Sequence, residues 1–137
     1  MPPDKALVDE TRNWLSKAET DLRSAGILFE NDRSLDGIVL FHCQQAVEKA
    51  LKGFLAYHNL AFRKTHHIGE LAQQCIRFEP SLETLLRQAS GLTVFAWAFR
   101  YPGDPEEPAS EDAGAALALA RDVYNAVLSA LPEDVKP

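Results

Sequence analysis

The segment HCQQAVEKALKGFLAYH, residues 42–58, has helical spacing yet sets Gln44, Gln45, Glu48, Lys49 and Lys52 among Val47, Leu51, Phe54 and Leu55. Ammonium groups meet phosphate through charge-assisted hydrogen bonds, so Lys49 and Lys52 are candidate phosphate ligands. Farther along, His66 supplies a titratable imidazole and Arg100 a planar guanidinium, both suited to the same anion. Gln44, Gln45, Glu48 and Tyr101 are candidates for supporting or interface positions around them. The same residues have a plainer reading. Gln44 and Gln45 can bond backbone or each other across a twofold, and Glu48 can pair with Lys52 at i, i+4. Arg100 can bond the last carbonyls of its helix, with Tyr101 packed under the following loop.

Charge distribution sharpens the choice. The chain has 137 residues and a formal net charge of −6, which argues against a general nucleic-acid binder. From Lys49 to Gly69, however, it carries Lys49, Lys52, Arg63, Lys64 and three histidines without one acid. The opposite bias falls at DPEEPASED, residues 104–112, which reads as a solvated loop, a shield for the basic spot or a partner surface. His66 and Glu70 are spaced i, i+4 but lack a third ligand nearby, so neither a metal nor another cofactor is expected. Cys43 and Cys75 have no CxxC spacing and fall on apolar helix sides, as free buried thiols would.

The elements that must position these groups are helical. Trp14, Ala18, Leu22, Ala25 and Phe29 give a first helix over 8–31. Ser34 is the expected N-cap of a second, running to the stretch 59–62, Thr65 of a third that Pro80 stops, and Ser81 of a fourth. In the fourth, Leu82, Leu85, Leu86, Ala89, Ala96 and Trp97 keep the 3.6 period to about Arg100, although Gly91, Thr93 and Val94 weaken it. Ser110, followed by Glu111 and Asp112, opens a fifth with Ala116, Ala120, Val123, Val127 and Leu131 as its core stripe.

No strand alternation and no repeat is present, so residues 1–137 read as a single all-α domain, an antiparallel bundle of about five helices with its core over 8–131. No leader and no membrane-length apolar run is visible, which reads as cytoplasmic. On the second helix, Val39, Cys43, Ala46, Val47, Ala50, Leu51 and Phe54 share one arc. The opposite arc holds His42, Gln45, Glu48, Lys49 and Lys52 together with Ile38 and Phe41, so it is expected to be half covered by a helix or a second subunit.

Four motifs carry a resemblance to a known family: W-L-x-x-A-E-x-D-L at Trp14 to Leu22, Q-Q-A-V-E-K-A-L-K at Gln44 to Lys52, K-T-H-H-I-G-E-L at Lys64 to Leu71, and R-Y-P-G at Arg100 to Gly103. In order and spacing the chain resembles the HEPN domain family (higher eukaryotes and prokaryotes nucleotide-binding) from about residue 12 to 130. The resemblance implies a helical bundle, usually homodimeric, often encoded beside a minimal nucleotidyltransferase in prokaryotic toxin–antitoxin or defence systems. Some relatives bind nucleotides, and others are metal-independent RNases with an arginine, four to six residues and a histidine. None of Arg12, Arg23, Arg33, Arg63, Arg77, Arg87, Arg100 and Arg121 has a histidine at that offset.

Three functions stand in competition. The first is an accessory module whose Lys49, Lys52, His66 and Arg100 meet nucleotide or RNA phosphates. The second is an RNase with a degenerate site near Arg63, His66, His67 and Arg100. The third is a dimeric docking protein using the Ile38 and Phe41 face or the 104–112 segment. The missing arginine–histidine pair weighs against the enzyme.

Overall fold

The computed structural model describes residues 4–104 and 106–137. Five α-helices follow one another: α1 Lys5–Asn31, α2 Asp36–Tyr57, α3 Ile68–Phe78, α4 Glu83–Ala89 and α5 Asp112–Ser129. Short 3₁₀ turns lie at Arg33–Leu35, Pro80–Leu82 and Glu133–Val135, and a seven-residue 3₁₀ stretch, Ser90–Ala96, continues α4. Among the described residues there is no strand, as the periodicity predicts. No described helix is long and apolar enough to cross a membrane.

Several expected boundaries move. Asp4 accepts from the Ala6 amide and starts α1 at Lys5 rather than at residue 8. Ser34 does not cap α2; it donates through N and Oγ to Asp32, and Leu35 takes the cap position with no side-chain bond. Thr65 Oγ1 accepts from the His67 amide one residue before α3, so His67 holds that cap position. Ser81 sits inside a 3₁₀ turn and donates to Glu79. The fourth helix stays α-helical only to Ala89, because Gly91, Thr93 and Val94 favour the tighter 3₁₀ winding that follows.

Packing follows from which residues meet. Asp21 touches Lys49, and Gly53 lies against Leu15, so α1 and α2 run antiparallel. Phe29 meets Gly114 and Glu19 meets Tyr124, which sets α5 antiparallel to α1. The turn between α1 and α2 is tied down by Arg33, whose guanidinium forks onto Asp36 at 2.8–3.0 Å and also donates to the Ser110 carbonyl. Of the 22 residues of α2, 15 are buried, which makes it the axis of the bundle. Leu15 and Ala18 of α1, Val39, Ala46, Val47, Leu51 and Phe54 of α2, Leu71 of α3, Leu86 of α4 and Val123 of α5 form the core.

Cys43 and Cys75 are both buried and free in that core, and loss of solvation pushes each thiol up to about 12. At Gly53 the two long helices approach so closely that an added Cβ would stand 3.1 Å from Leu15 Cδ2 and 3.2 Å from Trp14 Cβ. Overpacking of that kind costs roughly 1–3 kcal/mol. Gly53→Val is therefore expected to lower the urea midpoint by that equivalent, whereas Gly91→Ala, with nothing within 4 Å of the new methyl, leaves it unchanged or slightly higher.

Candidate functional site

A helix buried nearly all round forces its polar residues to find partners, since an unpaired buried polar group costs roughly 1–3 kcal/mol. On α2 they form two linked clusters. In the first, Asp21 of α1, 8% exposed, accepts from Lys49 Nζ at 2.6 Å and from His42 Nδ1 at 2.8 Å. Burial would raise its pKa, but the hydrogen bonds from His42 and Lys49 outweigh it and hold the carboxyl below its ordinary range.

The second cluster centres on Glu48, 3% exposed. It accepts from His66 Nδ1 at 2.7 Å, and Lys52 Nζ lies 3.5 Å away, the i, i+4 pair that the spacing predicts. Gln44, fully buried, donates from Nε2 to the His66 carbonyl at 2.9 Å, and Gln45 donates to Gln44 Oε1 at 2.6 Å. The glutamines thus bond to backbone and to each other within one chain. Lys52 is 7% exposed, and its cation lies 5.5 Å and 5.9 Å from the Trp14 and Phe62 ring centres. Among the described residues, no buried side-chain nitrogen or oxygen lacks a hydrogen bond.

The four expected phosphate ligands divide accordingly. The ammonium groups of Lys49 and Lys52 rest on Asp21 and Glu48. His66 and Arg100 reach solvent. The His66 side chain is 57% exposed, is held by Glu48 through one ring nitrogen, and stands edge-on to Trp97 with ring centres 6.2 Å apart. Arg100 donates to the Ala96 carbonyl, its expected structural role, while its guanidinium carbon sits over the Phe41 ring, 3.7 Å from its centre. That stacking is the cover that Phe41 needs on the outer side of α2.

Arg100 is delivered there by the backbone. Phe99 adopts a left-handed φ of 64°, and its Cβ stands 3.0 Å from where a side chain on Gly37 would begin, so the segment after the 3₁₀ stretch crosses α2 at its one glycine of the first turn. Asp104 then accepts from the Arg100 and Tyr101 amides and closes the turn. Tyr101, expected under the loop, is instead 56% exposed, because that turn directs it outward. Glu70, weighed with His66 as a metal pair, binds Arg63 at 2.7 Å and 3.0 Å.

Sequence reasoning missed two residues. Trp97, expected in the core, is 48% exposed, because 3₁₀ winding from Ser90 turns it away from the α-helical stripe. Asp21 stands three residues beyond Ala18 on the inner side of α1. An acid in an apolar stripe is a visible signal for a buried ion pair.

A family model described as HEPN domain matches residues 11–131. The chain belongs to the HEPN domain family. No curated protein and no solved structure matches it. Membership supports a nucleotide- or RNA-related or RNase-like family role, and the helical bundle is the family's fold.

Because the Asp21 pKa is lowered on folding, its ion pairs stabilise the HEPN domain above the unfolded value near 3.8 and are lost as pH falls through the folded value. Asp21→Asn leaves the Lys49 ammonium without its carboxylate and is expected to cost about 1–3 kcal/mol at pH 7. In urea titrations from pH 7 to 2 the variant should also lose less stability below pH 4 than the parent does.

Proposed function

We propose that this HEPN domain is an accessory module that binds nucleotide or RNA phosphates on the face formed by His66, Trp97, Arg100 and Tyr101. The observation that carries the reading is the juxtaposition of exposed Trp97, edge-on to a carboxylate-anchored His66, with Arg100 three residues on. Aromatic rings that stack on bases beside cations that meet phosphate are the ordinary means of holding nucleotides or single strands. Lys49 and Lys52, each neutralised by its partner Asp21 or Glu48, act indirectly by keeping the supporting helix rigid. Asp104 organises the turn that presents Arg100 and Tyr101.

In the same reading the protein is a homodimer that works beside a minimal nucleotidyltransferase in a toxin–antitoxin or defence system. The family resemblance supports this part. Co-expression with the adjacent gene product and size-exclusion of the complex would test it.

Binding is measured by anisotropy of a fluorescein-labelled single-stranded RNA and by competition with ATP and GTP, at low and high salt. Arg100→Ala and Trp97→Ala are each expected to weaken binding about ten-fold, since a charge-assisted contact or one stacked base contributes roughly 1–3 kcal/mol. Unaltered affinity in both variants would overturn the reading.

A second reading rests on a separate observation. An exposed imidazole fixed at Nδ1 by a buried carboxylate, with no protein partner on Nε2 among the described residues, is what a general base requires. Arg100 or Arg63 would steady the phosphate without the family spacing. Transfer and ribosomal RNA incubated with excess protein in EDTA should be cleaved, with cleavage lost in His66→Ala; intact RNA rejects this alternative.

A further inference from the structure

The amides of Gln44 and Gln45 form a relay whose direction is fixed by chemistry. A backbone carbonyl only accepts, so the end of Gln44 that lies 2.9 Å from the His66 carbonyl oxygen is its NH2 group. The same nitrogen stands 3.5 Å from an oxygen of the Glu48 carboxylate. The other end of Gln44 is therefore its oxygen, and the end of Gln45 that meets it at 2.6 Å is again an NH2 group. That leaves Gln45 Oε1, which makes no hydrogen bond with any described residue. No buried side-chain oxygen among those residues lacks a partner, so Gln45 Oε1 opens to solvent from a half-buried side chain.

The helix sets where this oxygen stands. Gln45 is one turn after Phe41, whose ring the Arg100 guanidinium covers, and one turn before Glu48, which holds His66 at 2.7 Å. It thus lies on α2 between the level of Arg100 and the level of His66. Its amide is two hydrogen bonds from the His66 carbonyl, and the His66 ring centre is 6.2 Å from that of Trp97. An unrestrained surface glutamine turns either end outward and selects nothing. Gln45 cannot, because turning over would set its oxygen against that of the fully buried Gln44 and leave the buried acceptor without a donor.

We propose that Gln45 sets base preference at this face: its Oε1 accepts a hydrogen bond from the exocyclic amino group of a base stacked on Trp97, so cytosine is taken in preference to uracil. Cytosine carries an amino group that projects from the ring edge, where uracil carries a carbonyl oxygen. The one ring N–H of uracil is recessed between two carbonyl oxygens, which meet Gln45 Oε1 with like partial charge. Both pyrimidines offer a ring of the same size for stacking, so the difference between them isolates the edge contact. The inference rests on the nucleotide- or RNA-binding function proposed above and names the chemistry of the base that it favours.

The test uses the full chain and fluorescein-labelled ten-nucleotide RNAs, one of cytidine and one of uridine, read by anisotropy at low salt. The cytidine strand is expected to bind roughly five- to ten-fold tighter, the effect of one hydrogen bond. A third strand with 2-pyrimidinone in place of cytosine lacks only the amino group and should lose that advantage on the unaltered protein, so the comparison needs no variant to fold. Gln45→Met, with its thermal midpoint measured alongside, should bring the cytidine strand down to the affinity of the uridine strand and leave the latter unchanged. Equal affinity of the parent for cytidine and uridine strands, with binding still weakened by Arg100→Ala, overturns the role of Gln45 and leaves the binding face standing. A uridine preference, or a cytidine preference that survives 2-pyrimidinone or Gln45→Met, overturns it as well. Failure of every strand to bind overturns the face itself, and the role of Gln45 with it.

Discussion

Two buried carboxylates, Asp21 and Glu48, hold the polar side of the central helix together. Placing α2 at the centre of the bundle buries Gln44, Glu48 and Lys52 and half-buries His42, Gln45 and Lys49, and strong acceptors within hydrogen-bond reach make that tolerable. Asp21 comes from α1 and gathers His42 and Lys49, so it joins the two longest helices by charge as well as by packing. Glu48 is on α2 itself and reaches outward to His66, in the stretch between α2 and α3. A loop residue is thereby oriented from within the core, as functional side chains on loops require.

The fold was largely legible because its signals are long and periodic. Trp14 to Phe29 and Val39 to Phe54 leave no alternative to two extended helices, and the pairing of Glu48 with Lys52 follows from their spacing alone. What escaped is what depends on a change of winding or on a distant acid. The weak helix formers Gly91, Thr93 and Val94 were visible, but their outcome, a 3₁₀ stretch that turns Trp97 outward, depends on how α4 packs. The caps were misplaced for a similar reason: Ser34, Thr65 and Ser81 each bond locally in a turn, an alternative that competes with capping for the same side chains.

The candidate site was half legible. Residue type and local charge pointed to Lys49, Lys52, His66 and Arg100, but exposure separates them, and exposure is a property of tertiary packing. Sequence charge counts a buried lysine on a glutamate and a solvent-facing arginine alike. The partner of Lys49 lies 28 positions earlier, and that of His66 18 positions earlier. Helical wheels relate near neighbours only.

The two core thiols have a consequence of another kind. Only a thiolate attacks an alkylating reagent, and with both groups at about 12 and sealed in the core, neither Cys43 nor Cys75 reacts while the bundle is closed. Cys43 is on the central α2 and Cys75 on the peripheral α3. Their alkylation rates in native buffer are thus separate clocks: one counts openings of the α1–α2 core, the other the detachment of the outer hairpin, and their ratio tells whether the bundle breathes as one body or from its edge.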